Sequence, residues 1–286
     1  MRGTVAKSSW IRLSLLAAGV CIANLAFSVA GTLAAPRVIA TIPPLNLTIR
    51  FGMALILLAS FLPGVALLAG SKECRASTLR FRAGAGVYIA AVLLGFTLPF
   101  SSYLGARNMY PLPWNARTVP ILAEVFLINI FLTPLWEEII WRGYFFNKIS
   151  SMLRTKSAIV ISSSGWTVWH AGFLYFLYHS GVKVTVLAIF LPQIFFIGII
   201  LCSLFTMGHR ALTPCVFFHT AFDASIWTYT ASGHPVNDIG AMIAETIFTL
   251  IVAIVMFNMA ARPAENDAAL IESLQTTGDS VKDGNA

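Results

Sequence analysis

Glu137 and Glu138 stand side by side, with Arg142 four residues beyond the second, inside the apolar run FLINIFLTPLWEEIIWRGYFF. A carboxylate in a lipid-embedded helix costs on the order of 2.5 kcal/mol by insertion scales, so two adjacent ones require a role that offsets the cost. Two further apolar runs carry a histidine one helical turn from a polar or aromatic partner: Trp166/His170 and His219/Asp223. A carboxylate that takes a proton from water, imidazoles beside it and donors for a developing oxyanion are the parts of a hydrolytic site.

Helical spacing divides the two carboxylates. At ~100° per residue, Glu138 and Arg142 lie only ~40° apart in projection, whereas Glu137 lies ~140° from Arg142. Glu preceding Arg by four residues is also the favourable order for an ion pair. Glu137 is therefore left as the carboxylate available to water. A Glu–Arg clamp between helices accounts for one acid but not for two. Pro134, three residues upstream, frees a carbonyl and bends the helix just before the pair. His170 on its own fits a packed, hydrogen-bonded group as well as a catalyst. His219 and Asp223 share a helix face, where the carboxylate either fixes the imidazole tautomer or forms a polar clasp between helices.

The elements that must position these groups are membrane helices. The chain has 286 residues, 57% hydrophobic and only 11% charged, against about 25% charged in a soluble domain. Uncharged runs cover 13–36, 51–71, 83–106, 157–182 and 184–208. Three more apolar segments, near 119–147, 211–232 and 239–261, are interrupted by few charges, Glu124 and Glu245 among them. Each approaches or exceeds the ~20 residues a spanning helix needs. The expectation is an all-α polytopic bundle of about eight transmembrane helices. Residues 1–261 form one membrane domain with the active-site helices in about 119–230, and 262–286 form a polar, mobile tail too poor in large apolar residues to bury a core.

Basic residues set the expected orientation. With the N-terminus inside, Arg2, Lys7, Arg12, Lys72, Arg75, Arg80, Arg82, Lys148, Arg154, Lys156, Arg210, Arg262 and Lys282 fall on the cytoplasmic side. Arg37, Arg107, Arg117 and Lys183 fall on the other, with Arg50 near the outer end of the second span. The net charge of +7 is thus explained by topology and anionic headgroups, and no basic patch interleaved with aromatics points to nucleic acid. The start of the chain, MRGTVAKSSWIRL before an apolar run and VAGTLAAP, has the layout of a secretory signal. Its apolar run is longer than a signal core, so it is read as a retained span. Cys21, Cys202 and Cys215 lie in apolar segments and Cys74 in a cytoplasmic loop, with no CxxC pair, so they are read as small hydrophobes and a free thiol.

Other polar residues carry less. His179, His209 and His234 lie at span ends or loops, Glu124 lies close to the outer end of its span, and Glu245 is deep enough to meet a neighbouring helix. HExxH, GxSxG and P-loop patterns do not occur, so the zincin, serine-hydrolase and nucleotide-binding classes lose their usual supports.

Taken in order, Glu137-Glu138-x-x-x-Arg142, Trp166-x-x-x-His170 and His219-x-x-x-Asp223 on separate spans resemble the CPBP family. That is the CAAX protease and bacteriocin-processing (Abi) group, which includes the Ras-converting CAAX endopeptidase. The resemblance covers roughly 119–225. It implies an eight-helix intramembrane glutamate-type protease in which Glu137 and His170 activate water and His219 and Asp223 support the oxyanion. Trp166 stands where Phe is usual, and Asp223 where Asn is common. The expected function is endoproteolysis of a membrane-associated peptide or protein in the plasma membrane, with both termini cytoplasmic. A non-proteolytic scaffold or bacteriocin-immunity protein is the alternative, and a proton-coupled transporter a third reading. No cofactor is expected; Glu137, His170 and His219 are the set that would bind zinc if the metal is used.

Overall fold

Lipid offers the backbone no hydrogen-bond partners, so the apolar runs of this chain must satisfy their own N–H and C=O groups as helices. The computed structural model describes residues 2–39, 47–81, 83–105, 118–231 and 238–283, and over these it is all-helical without strands. Arg82, Arg107, Arg117 and His234, all weighed above, lie outside the described residues. The helices are α1 (Arg2–Ile39), α2 (Leu47–Gly70), α3 (Lys72–Thr78), α4 (Ala85–Gly105), α5 (Thr118–Leu132) and α6 (Pro134–Glu138). A π-helix (Ile139–Phe146) continues from α6 into α7 (Asn147–Ser150). Then follow α8 (Thr155–Trp169), α9 (Ala171–His179), α10 (Val184–Met207), α11 (Thr213–Ala231) and α12 (Ile239–Asp283).

Among the described residues, four stretches are long and apolar enough to cross a membrane: Trp10–Ala30, Ala85–Ser102, Val184–Met207 and Ile239–Ala261. The protein is an integral membrane protein on that ground. The other expected spans are helical too, but two of them are broken. The segment near 119–147 is divided at Thr133, and 157–182 is divided at His170.

Both breaks have local causes. Pro134 occupies the first turn of α6, where its missing N–H is tolerated, and the chain re-enters helix through Thr133. The Phe131 carbonyl, near the end of α5, accepts instead from Trp136 Nε1 at 2.8 Å. At the second break the His170 backbone N–H turns towards the Thr167 carbonyl (3.1 Å), a tighter turn than the α-helical bond to Trp166 (3.3 Å).

The bundle closes around the broken helices. α10 packs on α12 and α8, α11 on α4 and α5, and α1 on α2 and α9. Small residues permit the closest approaches. A Cβ on Gly95 of α4 would sit 2.5 Å from the Phe218 carbonyl oxygen, so α4 and α11 meet backbone to backbone one residue from His219. A Cβ on Gly172 of α9 would meet the Asn24 carbonyl at 3.0 Å and Ser28 Oγ at 2.8 Å, fixing α9 to α1 two residues from His170. Cys74, expected in a loop, is fully buried in α3; Cys202 and Cys215 are buried as expected, and none of the four cysteines forms a disulfide.

Candidate active site

The first helix sets both acids in the interior. Glu137 and Glu138 end α6 and are buried, and Arg142, with no exposed surface, lies in the π-helix that follows. Arg142 Nη1 donates to Glu138 Oε1 at 3.0 Å, the pair expected from the spacing. Its Nη2 reaches the Gly198 carbonyl of α10 at 3.5 Å, and its guanidinium carbon lies 4.7 Å from the Trp166 ring centroid. Arg suits this place because its planar fork both donates and stacks. A π-helix of eight residues is unusually long, and such segments recur at functional sites. Nothing in the residue pattern announced it.

Trp166 joins the acid helix to the histidine helix. Its indole Nε1 donates to Glu137 Oε2 at 3.2 Å, while its carbonyl accepts from His170 Nδ1 at 2.8 Å. A carbonyl oxygen only accepts, so Nδ1 carries the proton and Nε2 keeps the lone pair. At the break the His170 backbone N–H is shared between the Trp166 and Thr167 carbonyls, and the Trp166 carbonyl accepts the ring N–H as well. The neighbouring Trp169 carbonyl accepts from Asn24 Nδ2 of α1 at 2.6 Å, and the Trp169 ring meets the His170 ring edge-on at 4.9 Å.

α11 supplies the third group. His219 Nδ1 lies 2.9 Å from Glu138 Oε1, the same oxygen that holds Arg142. Its Nε2 is 3.8 Å from Asp223 Oδ2, beyond hydrogen-bonding distance. Glu138, not Asp223, is therefore the close partner of the imidazole, and the i,i+4 pairing expected on α11 is corrected to that extent. Two opposite charges on Arg142 and Glu138 already attract, and one oxygen with several acceptor directions serves both donors. The Asp223 carboxylate also accepts from Asn129 Nδ2 of α5 at 3.4 Å, and it is the most exposed acid of the group, at 24%.

The fold thus gathers all six expected residues into one connected set. Glu137 is linked through Trp166 to His170, and Arg142 through Glu138 to His219 and on to Asp223. Glu138 proves to be a hub rather than a partner of Arg142 alone. Trp166, noted as the aromatic partner of His170, does more than that spacing implies: its N–H, carbonyl and ring each contact a different member of the set. Asn24 and Asn129 are contributors that the motifs do not include. The available signal was an amide in an otherwise apolar helix, a costly placement that wants a partner. Among the described residues, no three His, Cys, Asp or Glu side chains converge as metal ligands.

The remaining candidates lie elsewhere. His179 stacks on Tyr175 at the exposed end of α9, His209 is exposed in the α10–α11 turn, and Glu124 is exposed on α5. Glu245 is buried on α12 next to the Gln193 amide of α10, as a helix-to-helix contact.

Residues 120–225 match the family model described as "Type II CAAX prenyl endopeptidase Rce1-like". The match takes in Glu137 through Asp223 and agrees with the resemblance drawn from the motifs; Asn24 lies outside it. No curated protein matches the chain.

Proposed function

We propose that this chain is an intramembrane endopeptidase that cleaves a membrane-associated peptide or protein with a water molecule activated by Glu137 and His170. The observation that carries the reading is the Trp166 bridge. One residue donates to the Glu137 carboxylate and fixes the His170 tautomer, so a carboxylate oxygen and an imidazole lone pair are held on one anchor. Glu137 takes a proton from water as the water oxygen adds to the scissile carbonyl carbon. It returns that proton to the leaving nitrogen as the C–N bond breaks. His170 Nε2 orients the water by accepting its second hydrogen.

The tetrahedral intermediate needs donors for its negative oxygen. His219 is held at Nδ1 by Glu138, and in its charged form it presents Nε2–H on the side facing Asp223. Arg142 keeps Glu138 in place and adds positive charge to the same wall. We further propose that the eight apolar segments cross the plasma membrane with both termini and the 72–82 loop cytoplasmic, following the basic-residue bias. Labelling single cysteines placed in 72–82 from the outside would overturn that orientation.

The decisive comparison is the membrane peptide profile of cells carrying wild type or Glu137→Gln. An amide is nearly isosteric but takes no proton from water, so cleavage should fall about 10²–10⁴-fold while the protein still folds and inserts. The purified variant would be assayed on C-terminal cysteine peptides with and without a prenyl group. Wild-type cleavage by Glu137→Gln overturns the assignment. Loss of cleavage with intact cellular function favours the scaffold or immunity reading.

A further inference from the structure

One cavity stands apart from the acid–histidine site. It holds about 260 Å³ between α3, the far end of the π-helix, α7 and the α10–α11 turn. That is far more than the ~30 Å³ share of one water, so a polyatomic group fits. Arg80, Lys148 and Arg210 line it from three separate elements, together with Ser77, Asn147 and Tyr144, and no lining residue is acidic. These cations are far apart in sequence, and the fold gathers them at one end of the bundle.

The arginines are fixed rather than loose. Arg80 Nη1 donates to the His209 carbonyl at 2.8 Å, and Arg210 Nη1 donates to Asn147 Oδ1 at 2.9 Å. Each bond uses one of the five N–H donors of a guanidinium, which leaves donors for a ligand. Arg210 is carried on a turn in which both His209 and Arg210 adopt positive φ, 54° and 64°, rare for residues with side chains. The turn is tied down by Leu212 N–H donating to the Ser77 carbonyl at 3.1 Å. Bidentate donors converging on a cavity without acids suit a phosphate group.

The surroundings say where that phosphate comes from. Leu79 and Phe81, on either side of Arg80, are 72% and 68% exposed. Large apolar side chains flanking a cation at the end of a membrane bundle belong at the headgroup–acyl boundary. We propose that this cavity is a binding site for a phosphate anion presented by an anionic lipid headgroup. Basic pockets at helix ends are places where such headgroups are held.

The test uses the full chain in mixed micelles containing equal phosphatidylglycerol and phosphatidylcholine, with retained lipid read by native mass spectrometry. Inorganic phosphate binding is followed separately by titration calorimetry. Two variants are compared with wild type: Arg80→Gln/Arg210→Gln, and Ser151→Glu, which puts an acid at the exposed rim and leaves both arginine bonds intact. Wild type should retain phosphatidylglycerol in preference to phosphatidylcholine, and each variant should weaken that retention about tenfold. Should the double variant fail to fold, Ser151→Glu alone decides. Inorganic phosphate binding without any lipid preference overturns the lipid as source and keeps the anion site. Equal retention of both lipids without phosphate binding, or a phosphatidylglycerol preference unchanged in Ser151→Glu, overturns the site altogether.

Discussion

The helices of this protein divide into the uninterrupted and the broken, and four of the six candidate site residues, Glu137, Glu138, Arg142 and His170, lie on the broken ones, with His219 and Asp223 brought to them by the continuous α11. α10 and the membrane-crossing part of α12 run without a gap, and α12 turns Ile243, Ile247, Ile251 and Ile254 outward at helical spacing. The segments 118–150 and 155–179 are each divided, and side chains bond backbone carbonyls beside each division. Phe131 accepts from the Trp136 indole, Trp166 from the His170 ring as well as from its backbone N–H, and Trp169 from Asn24. In lipid an unpaired carbonyl is too costly to leave, so a break recruits polar side chains and fixes their direction. The breaks are thus the means by which polar groups are held in an apolar bundle.

The sharpest way to break this contrast is at the hub. Glu138 accepts from Arg142 and stands 2.9 Å from His219 through the same oxygen, all in the interior. Glu138→Ala leaves a buried guanidinium without its counter-charge, at a cost of about 3–5 kcal/mol. The variant should lose folded protein as well as cleavage, read by thermal unfolding in detergent. Truncating the outward Ile251 of α12 to Ala should change unfolding by less than about 0.5 kcal/mol, as surface changes do. Equal effects at the two positions would dissolve the distinction between broken and unbroken helices.

Trp166→Phe sharpens the same point with a smaller expected effect. Phe keeps the ring and the backbone carbonyl, so His170 and the stacking on Arg142 remain, and only the N–H to Glu137 is lost. A hydrogen bond to a charged group contributes about 1.5–3 kcal/mol, so cleavage should fall about ten- to a hundredfold, mostly in kcat. The wild-type rate in this variant would show that the N–H to Glu137 is idle and that Trp serves as Phe would.

Asn24→Ala tests whether the clasp at the second break matters. Asn24 is buried and donates to the Trp169 carbonyl, but it lies far outside the matched segment. Interhelical polar bonds in membranes average about 0.6 kcal/mol, so unfolding should shift modestly and cleavage by about threefold. A Gln replacement that restores the rate would mark a positioning role. No change in either measurement would show that the packing of α1 on α9, not this bond, holds the two helices together.

How much of this was legible in the residues follows the same division. The apolar runs predicted helices at the right places because hydrophobic length alone specifies them. Glu138–Arg142 was legible because four residues bring two side chains onto one face whatever the tertiary context. The bend at Pro134 was legible too, but not that it would be a full division, and the break at His170 was not. Pro134 begins a new helix, yet Pro99 and Pro192 sit inside continuous ones, and neighbouring residues do not separate these outcomes. The π-helix is joined to α10 through Arg142 and Gly198, and the turn at His170 to α1 through Trp169 and Asn24, contacts between helices that no local pattern announces. His219 was paired with Asp223 by spacing, but its shorter contact comes from a helix 81 residues away in sequence.

The smallest expected effect is that of Asp223→Asn, and its comparison with Asp223→Ala is the most discriminating. Its Oδ2 is 3.8 Å from His219 Nε2 and accepts from Asn129, so it borders the space where an oxyanion would form without gripping the imidazole. Glu138 already fixes the other side of His219, which means that losing Asp223 does not release the ring. An ionised aspartate has no proton to donate, whereas Asn has nearly the same shape and supplies an N–H. Asp223→Asn can also accept from Asn129 through its carbonyl, so the cleavage rate should stay within about threefold of wild type. Asp223→Ala removes the acceptor for Asn129 and the negative charge facing His219 Nε2, and the rate should fall about tenfold. Asn129→Leu gives the independent check, because it removes the partner while leaving the carboxylate. If Asp223→Ala cleaves at the full rate, Asp223 belongs to the packing of α5 on α11, and His219 serves the oxyanion without it.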